Sequence, residues 1–287
     1  MKLKKLLAIP FLALFVVLGA CGQEAAPVSD AGKSKENEKS QASEKSLTVE
    51  EVFEKTIAAS RDLKSVSVKM DNNQTITSSN NPEPVDVKST IEMDVIQNPI
   101  ALYQVMTIEV PGEESMKSET YFTDKGFYMV EPTENKWVKL PEEMSAEILK
   151  ATKEQGDPAA ELKKMQSYVE DFKFEQDDAS YFLTLNASGD KFNSLVQEEM
   201  SKSLGQDLGV ALENMDINDV NFKYTIDKKS FNLTAMDINM TIKTVEGEEE
   251  VTMKQTTNAV FSNYNGVDEI TIPEDVMKSA EEIQLPQ

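Results

Sequence analysis

The chain has 287 residues, with 51 Asp and Glu against 29 Lys and Arg, no histidine, and a formal charge of −22. That balance excludes nucleic acid as a partner, because such binding neutralises phosphates with Lys and Arg, and it excludes a basic patch held by anionic lipid head groups. With no histidine there is no histidine base, no histidine metal ligand and no Ser-His-Asp relay, so the expectation is a protein without catalysis, metal or cofactor.

Lys2, Lys4 and Lys5 precede an apolar run from Leu6 to Leu18, which leads into Leu18-Gly19-Ala20-Cys21. A basic start, an apolar stretch and small residues before a cleavage point make a secretory signal. The run is thirteen residues long, short of the roughly 20 that span a bilayer as a helix. Cys21 is the only cysteine and stands where lipobox-type signals place the residue that is acylated and becomes the new N-terminus. The stretch closely resembles a bacterial lipoprotein signal. Residues 1–20 are therefore expected to be a signal peptide and Cys21 the lipidation site. The protein is expected to be held at the extracytoplasmic face of the cell membrane by an N-terminal diacylglyceryl anchor. Two acyl chains are needed, because one gives only marginal binding. Removing the signal takes away three lysines and no acid, so the formal charge goes from −22 to −25. This acid surplus reads as a solvated surface that keeps a secreted protein soluble.

Residues 21–46 read as a disordered tether from the lipidated Cys21. Beyond the cysteine, Val28 is the only large apolar side chain, which is too little to build a core. As a flexible coil, Gly22 to Ser46 would reach about 25–30 Å. The folded part runs from 47 to 287. It begins with Thr48 and Glu51, spaced as a capping box, with Leu47 and Val52 placed to form a hydrophobic staple. Val49, Val52, Phe53 and Ile57 make a helical stripe. The period then changes to two: Val66, Val68, Met70 and Ile76 alternate with polar residues, although Asn72 and Gln74 weaken the apolar face.

Further strands follow at Ile91, Met93 and Val95, and at Leu102, Met106, Ile108 and Val110, with Asn98-Pro99 as the turn between them. Met116 to Thr123 and Gly126 to Val130 form a hairpin around Asp124-Lys125-Gly126, and Trp137-Val138 lies on a short strand. Helices are expected from Pro141 and again from Asp157-Pro158. Phe172 to Asn186 reads as a strand pair turning at Asp177-Asp178, and Ser188 as the cap of another helix. Val220, Phe222, Tyr224 and Ile226 alternate without a break. The next strand begins with Phe231 and Leu233 and then switches phase to Met236, Ile238, Met240 and Ile242, the trace of a β-bulge. Glu246-Gly247-Glu248 turns into Val251, Met253, Ala259 and Phe261, and Pro273 opens a terminal helix carrying Val276, Ala280 and Ile283.

No catalytic constellation emerges. Ser188-Gly-Asp-Lys191 matches Ser-x-x-Lys, but the Ser-Asp-Asn and Lys-Thr-Gly elements that chemistry requires are missing, and a helix cap accounts for the serine. Gly205 to Gly209 has GxxxG spacing in polar surroundings, unlike a membrane dimer motif. Asp216-Ile-Asn218-Asp219 lacks the glycine and distant glutamate of a calcium loop and reads as a solvated turn. Glu248-Glu249-Glu250 reads as a charged hairpin edge.

A capped N-terminal helix leading into a long antiparallel meander is joined by Trp137 in Asn-Lys-Trp-Val-Lys-Leu-Pro. The tail reads Phe261-Ser-Asn-Tyr-Asn-Gly-Val-Asp-Glu-Ile-Thr-Ile-Pro-Glu-Asp-Val276. The combination resembles the LolA-like lipoproteins of Gram-positive bacteria, including the lipid-handling LppX and LprG type, and most closely a Firmicute branch of unknown function. The resemblance implies an α+β fold: a curved antiparallel β-sheet, an incomplete barrel, covered on one face by helices with acyl chains held between. It implies no catalytic residues. One domain over 47–287 is expected, with two half-size helix-plus-sheet units split near 187 as the alternative.

Thirteen methionines remain after Met1 is removed with the signal. Strand faces ordinarily favour Val and Ile, whereas methionine is flexible and suits surfaces that repack around variable partners. Met70, Met93, Met106, Phe222, Tyr224, Met236 and Met240 are the candidate lining of an apolar cavity for a lipid or other hydrophobic ligand. The same pattern also fits a filled core with an acidic surface that docks a cell-envelope protein or senses an envelope ligand.

Overall fold

In the computed structural model, which describes residues 26–27, 47–132, 134–155, 172–187, 215–246 and 249–283, the folded part opens with helix α1 (Val49–Arg61). Cys21, the helices expected from Asp157-Pro158 and from Ser188, and the turn residues Gly247 and Glu248 lie outside the described residues. The capping box is formed in both directions. The Thr48 amide donates to Glu51 Oε2 at 2.9 Å, and the Glu51 amide donates to Thr48 Oγ1 at 3.3 Å. Two amides that a helix start leaves without partners are thereby satisfied. Thr48→Ala should cost about 1 kcal/mol in a denaturant titration, with Thr48→Asp restoring most of it.

The remaining elements are β1 (Ala26–Pro27), β2 (Ser65–Ser78), β3 (Asn81–Gln97), β4 (Ile100–Glu109), β5 (Met116–Thr123), β6 (Gly126–Glu131), β7 (Lys136–Lys139), α2 (Glu142–Gln155), β8 (Phe172–Gln176), β9 (Ser180–Ala187), β10 (Met215–Asp227), β11 (Leu233–Glu246), β12 (Glu249–Ser262), α3 (Glu274–Ser279) and β13 (Glu281–Glu282). They build one curved sheet that does not close, in the order β1-β8-β9-β10-β11-β12-β2-β3-β4-β5-β6-β7-β13. Every internal pairing is antiparallel. The join between the halves of the chain is β12 on β2, in register from Val251 opposite Ser78 to Ser262 opposite Ser67. Both outer edges are covered by two-residue parallel strands, β1 on β8 and β13 on β7. Ala26–Pro27 therefore pairs within a segment whose composition reads as a tether. Two residues can cover an edge through backbone hydrogen bonds without apolar side chains of their own.

Two bulges shape the β10–β11 ribbon. Thr225 pairs with Ala235 but Ile226 with Leu233, so Thr234 is the extra residue, as the phase switch in the sequence requires. Its hydroxyl donates to the Thr225 carbonyl at 3.1 Å, which partly offsets the broken ladder. The second bulge corrects an expectation. Asp216–Asp219 is not a turn but lies within β10, where the register slips between Asn218 and Asn221 and Asp219 has φ +52°. Asp tolerates the left-handed region, and the slip lets Ile217 and Val220 both point into the core. Phe231 also departs from expectation. It sits in the turn before β11 with φ +57°, held there by stacking on Tyr181 and by Lys55 Nζ 5.0 Å from its ring centroid.

The main core covers one face of the sheet. Val49, Val52 and Phe53 of α1 join Phe174, Leu183, Phe222, Tyr224, Ile226 and their neighbours from β8 to β12. A smaller core lies on the opposite face near the β7 edge, where Tyr128 packs with Ile272 and Val276, and Tyr121, Trp137 and Ala280 lean on them. Residues alternate along β5 to β7 so that Tyr121, Tyr128 and Trp137 face away from Phe122, Met129 and Val138. The C-terminal segment thus holds the outer face. Its path back is tied to the start of β2, with the Asn265 amide donating to the Ser65 carbonyl at 2.8 Å and the Val267 amide to Ser65 Oγ at 3.0 Å.

Candidate functional site

All seven candidate cavity residues fall on the same face and in or against the same cluster. Tyr224, Met236, Ala259, Met70, Ile91 and Met106 are successive register partners across β10, β11, β12, β2, β3 and β4, so they form one row. Their surroundings differ, however. Phe222 and Tyr224 are 1% exposed, Met236 3% and Met70 4%, which makes them part of a packed interior. Met93, Met106 and Met240 are half-buried at its fringe.

The accessible part of this face lies over β3 to β6. Met93, Gln104, Thr120 and Met129 are consecutive register partners there, and beside them run Met106 and the pair Ile108 and Met116. All are half-buried. Met116 and Met129 were not among the sequence candidates. Met129 opposite Thr120 follows from the β5–β6 hairpin that the sequence implies, whereas Met116 opposite Ile108 depends on β4 pairing with β5, which no local signal in the sequence specifies.

A polar insertion interrupts the apolar rows at the middle of the sheet. Gln74 Nε2 donates to Gln255 Oε1 at 3.2 Å, and Gln255 Nε2 to Thr257 Oγ1 at 3.0 Å. Thr257 Oγ1 donates to Asn72 Oδ1 at 2.8 Å, and Asn72 Nδ2 to Ser89 Oγ at 3.4 Å. Asn72, Thr257 and Ser89 are buried, while Gln74 and Gln255 are half-buried. The two residues that weaken the apolar pattern of β2 in the sequence therefore do face the core, because each finds a partner on β3 or β12. Buried amides and hydroxyls are tolerated on such a face only when paired in this way.

The opposite face is polar. It carries exposed cross-strand pairs such as Lys69 with Glu92 at 3.0 Å and a hollow of about 380 Å³ whose lining includes Asp71, Asn73, Lys88, Thr90, Thr107 and Glu109. Among the described residues no group of three acidic, Cys or His side chains is placed to hold a metal ion. Near the β7 edge, Tyr103 and Tyr121 lie with ring centroids 4.7 Å apart. Burial, then the neighbouring Tyr103 and Glu119, push the Tyr121 phenol up to about 12. An unfolded chain would release this proton first, near pH 10. The resulting stabilisation is therefore complete below about pH 10 and is lost as pH rises from there toward the folded-state value. A near-ultraviolet absorbance titration compared with Tyr121→Phe should show the missing transition at the alkaline end, not at the ordinary tyrosine position.

No curated protein matches the chain. Among solved structures, an S-type phycobiliprotein lyase, CPES, from Guillardia theta is similar over 71% of this chain and 90% of its own, at 8% identity and a TM-score of 0.21. A beta-barrel-like protein of the domain of unknown function DUF1849 from Brucella abortus is similar over 70% of this chain and 99% of its own, at 7% identity and a TM-score of 0.23. A family model matches residues 48–281, from the Thr48 cap to β13, and the chain belongs to that family, a family of unknown function (DUF6612).

Proposed function

We propose that the protein is a membrane-anchored extracytoplasmic lipoprotein, LolA-like in design, that binds a lipid or other hydrophobic ligand and performs no chemistry. The anchor is a diacylglyceryl group on Cys21, a few residues ahead of Ala26–Pro27, which pair with the β8 edge. The observation that carries the ligand reading is the half-buried face of β3 to β6, where Met93, Met106, Met116 and Met129 gather on one side. Methionine side chains adapt to irregular apolar partners, and a concave apolar surface with few polar groups is the usual form of such sites. The ligand sits on this face, beside the packed interior of β8 to β12.

A fluorescent fatty-acid probe tests the proposal. The wild-type protein should bind it saturably, and Met106→Glu should weaken binding by about tenfold or more by placing an unpaired charge on the apolar face, with the circular dichroism spectrum unchanged. A second reading has one observation in its favour: Phe222, Tyr224, Met236 and Met70 are fully packed. If the whole apolar face is core, the protein is an interaction module whose acidic surface docks a cell-envelope partner. Failure of the probe to bind wild-type protein would favour that module.

A further inference from the structure

We propose that the chain of side chains Ser89, Asn72, Thr257, Gln255 and Gln74 is the polar recognition element of the site, selecting a ligand whose aliphatic chain carries an uncharged ester, amide or hydroxyl group. The inference rests on the ligand-binding reading and gives its chemical class. The element is fenced by apolar residues of the same face. Met70, Ile91 and Ala259 lie on one side along the strands, Ile76 and Met253 on the other, Ile238 and Met240 toward β11, and Ile108 toward β4.

The direction of its hydrogen bonds matters. Each bond donates from Gln74 toward Ser89, so the run ends on the Ser89 hydroxyl, which accepts from Asn72. Having accepted from Asn72, the Ser89 hydroxyl keeps its own hydrogen for a further acceptor. Gln74, Gln255 and Asn72 each spend one of their two side-chain N–H donors on a neighbour in the run, leaving the second for another acceptor. Ser89 is the register partner of Ile108, and its neighbour on the same face, Ile91, is the partner of Met106. The donor end of the run therefore borders the half-buried methionine face, where an ester or amide carbonyl at the head of a bound chain would meet it. Hydrogen bonds in series polarise one another, which strengthens the terminal donor.

Charge is absent from this part of the face. From Val66 to Ile76 on β2, Val85 to Val95 on β3, Leu102 to Ile108 on β4 and Val251 to Phe261 on β12, the residues of this side are uncharged. A carboxylate or phosphate would lose its hydration with no cation opposite, whereas a neutral carbonyl exchanges water for an oriented donor. A purely structural device for fixing register is not needed here, since the apolar residues that alternate on either side of the run along β2, β3 and β12 already fix it.

The test uses the full chain and three pyrene-tagged alkyl chains of one length, ending in methyl, in methyl ester and in carboxylate, titrated by fluorescence. Wild-type protein should bind the ester about fivefold more tightly than the hydrocarbon and about tenfold more tightly than the carboxylate. Paired substitution Gln74→Leu and Gln255→Leu, and separately the milder Ser89→Ala, should erase the ester's advantage over the hydrocarbon while hydrocarbon binding is kept. Equal binding of ester and hydrocarbon by wild-type protein, or an ester advantage that survives Ser89→Ala, overturns the recognition role and leaves the ligand-binding reading standing. Binding of none of the three chains overturns both.

Discussion

Phe222→Ala should lower the unfolding free energy by about 3–5 kcal/mol, enough to remove a large share of the stability of an ordinary domain. Phe222 is 1% exposed, lies between Leu185 of β9 and Ile238 of β11 in register, and stacks at 6.3 Å on Tyr224. Its truncation leaves a hole that strands on both sides hold open, because each is fixed by its own ladder. Phe222→Leu, which keeps most of the volume, should recover more than half of the loss. Urea titrations of the three proteins check this. Because Phe222 belongs to the packed interior and not to the methionine face, the surviving folded fraction of Phe222→Ala should bind the fatty-acid probe with unchanged affinity. A loss below about 1 kcal/mol would show that the interior over β8 to β12 is not filled.

Cys21→Ala should have the largest effect on location. On the proposed anchor, each buried methylene holds the protein by about 0.8 kcal/mol, so two acyl chains keep it in the membrane fraction. Without the thiol no thioether to a diacylglyceryl group forms. The protein should then appear in the medium or accumulate as unprocessed precursor, its folded part unaltered. In processed protein the acid surplus offers anionic head groups no attraction that would take the anchor's place. Fractionation with intact-mass measurement decides the matter. Membrane retention of Cys21→Ala at the processed mass, with no acyl chain on the wild-type N-terminus, would contradict the anchor.

Much of the fold was legible because its signals are local. The Thr48 and Glu51 box, the Asp124-Lys125-Gly126 hairpin and the phase switch at Leu233 to Met236 each depend on residues within a few positions, and each is present as read. The Asp216–Asp219 bulge was misread because Asp and Asn serve turns and bulges alike, and only the partner strand distinguishes them. Pairing between distant strands left no local trace. Asn72 breaks the apolar pattern of β2 in sequence, and its partners Thr257 and Ser89 come from other strands, Thr257 from one distant in the chain. The two stretches that carried the family resemblance, around Trp137 and from Phe261 to Val276, meet in the small core of the opposite face, where Trp137 packs against the cluster of Tyr128, Ile272 and Val276. The seven candidate cavity residues share one face, as their alternation implies, but alternation cannot separate a packed row from an accessible one, since both have period two.

The central claim is that the methionine face of β3 to β6 holds a hydrophobic ligand. Native mass spectrometry of the protein purified from the cells that make it, followed by organic extraction, tests it most directly. The account predicts a bound species of aliphatic composition at close to one per chain, beyond the covalent acyl chains, and its loss when Met93 and Met106 are both replaced by glutamate in protein that remains folded. A wild-type protein at its bare lipidated mass, with nothing extracted and no saturable binding of the fatty-acid probe, would contradict it.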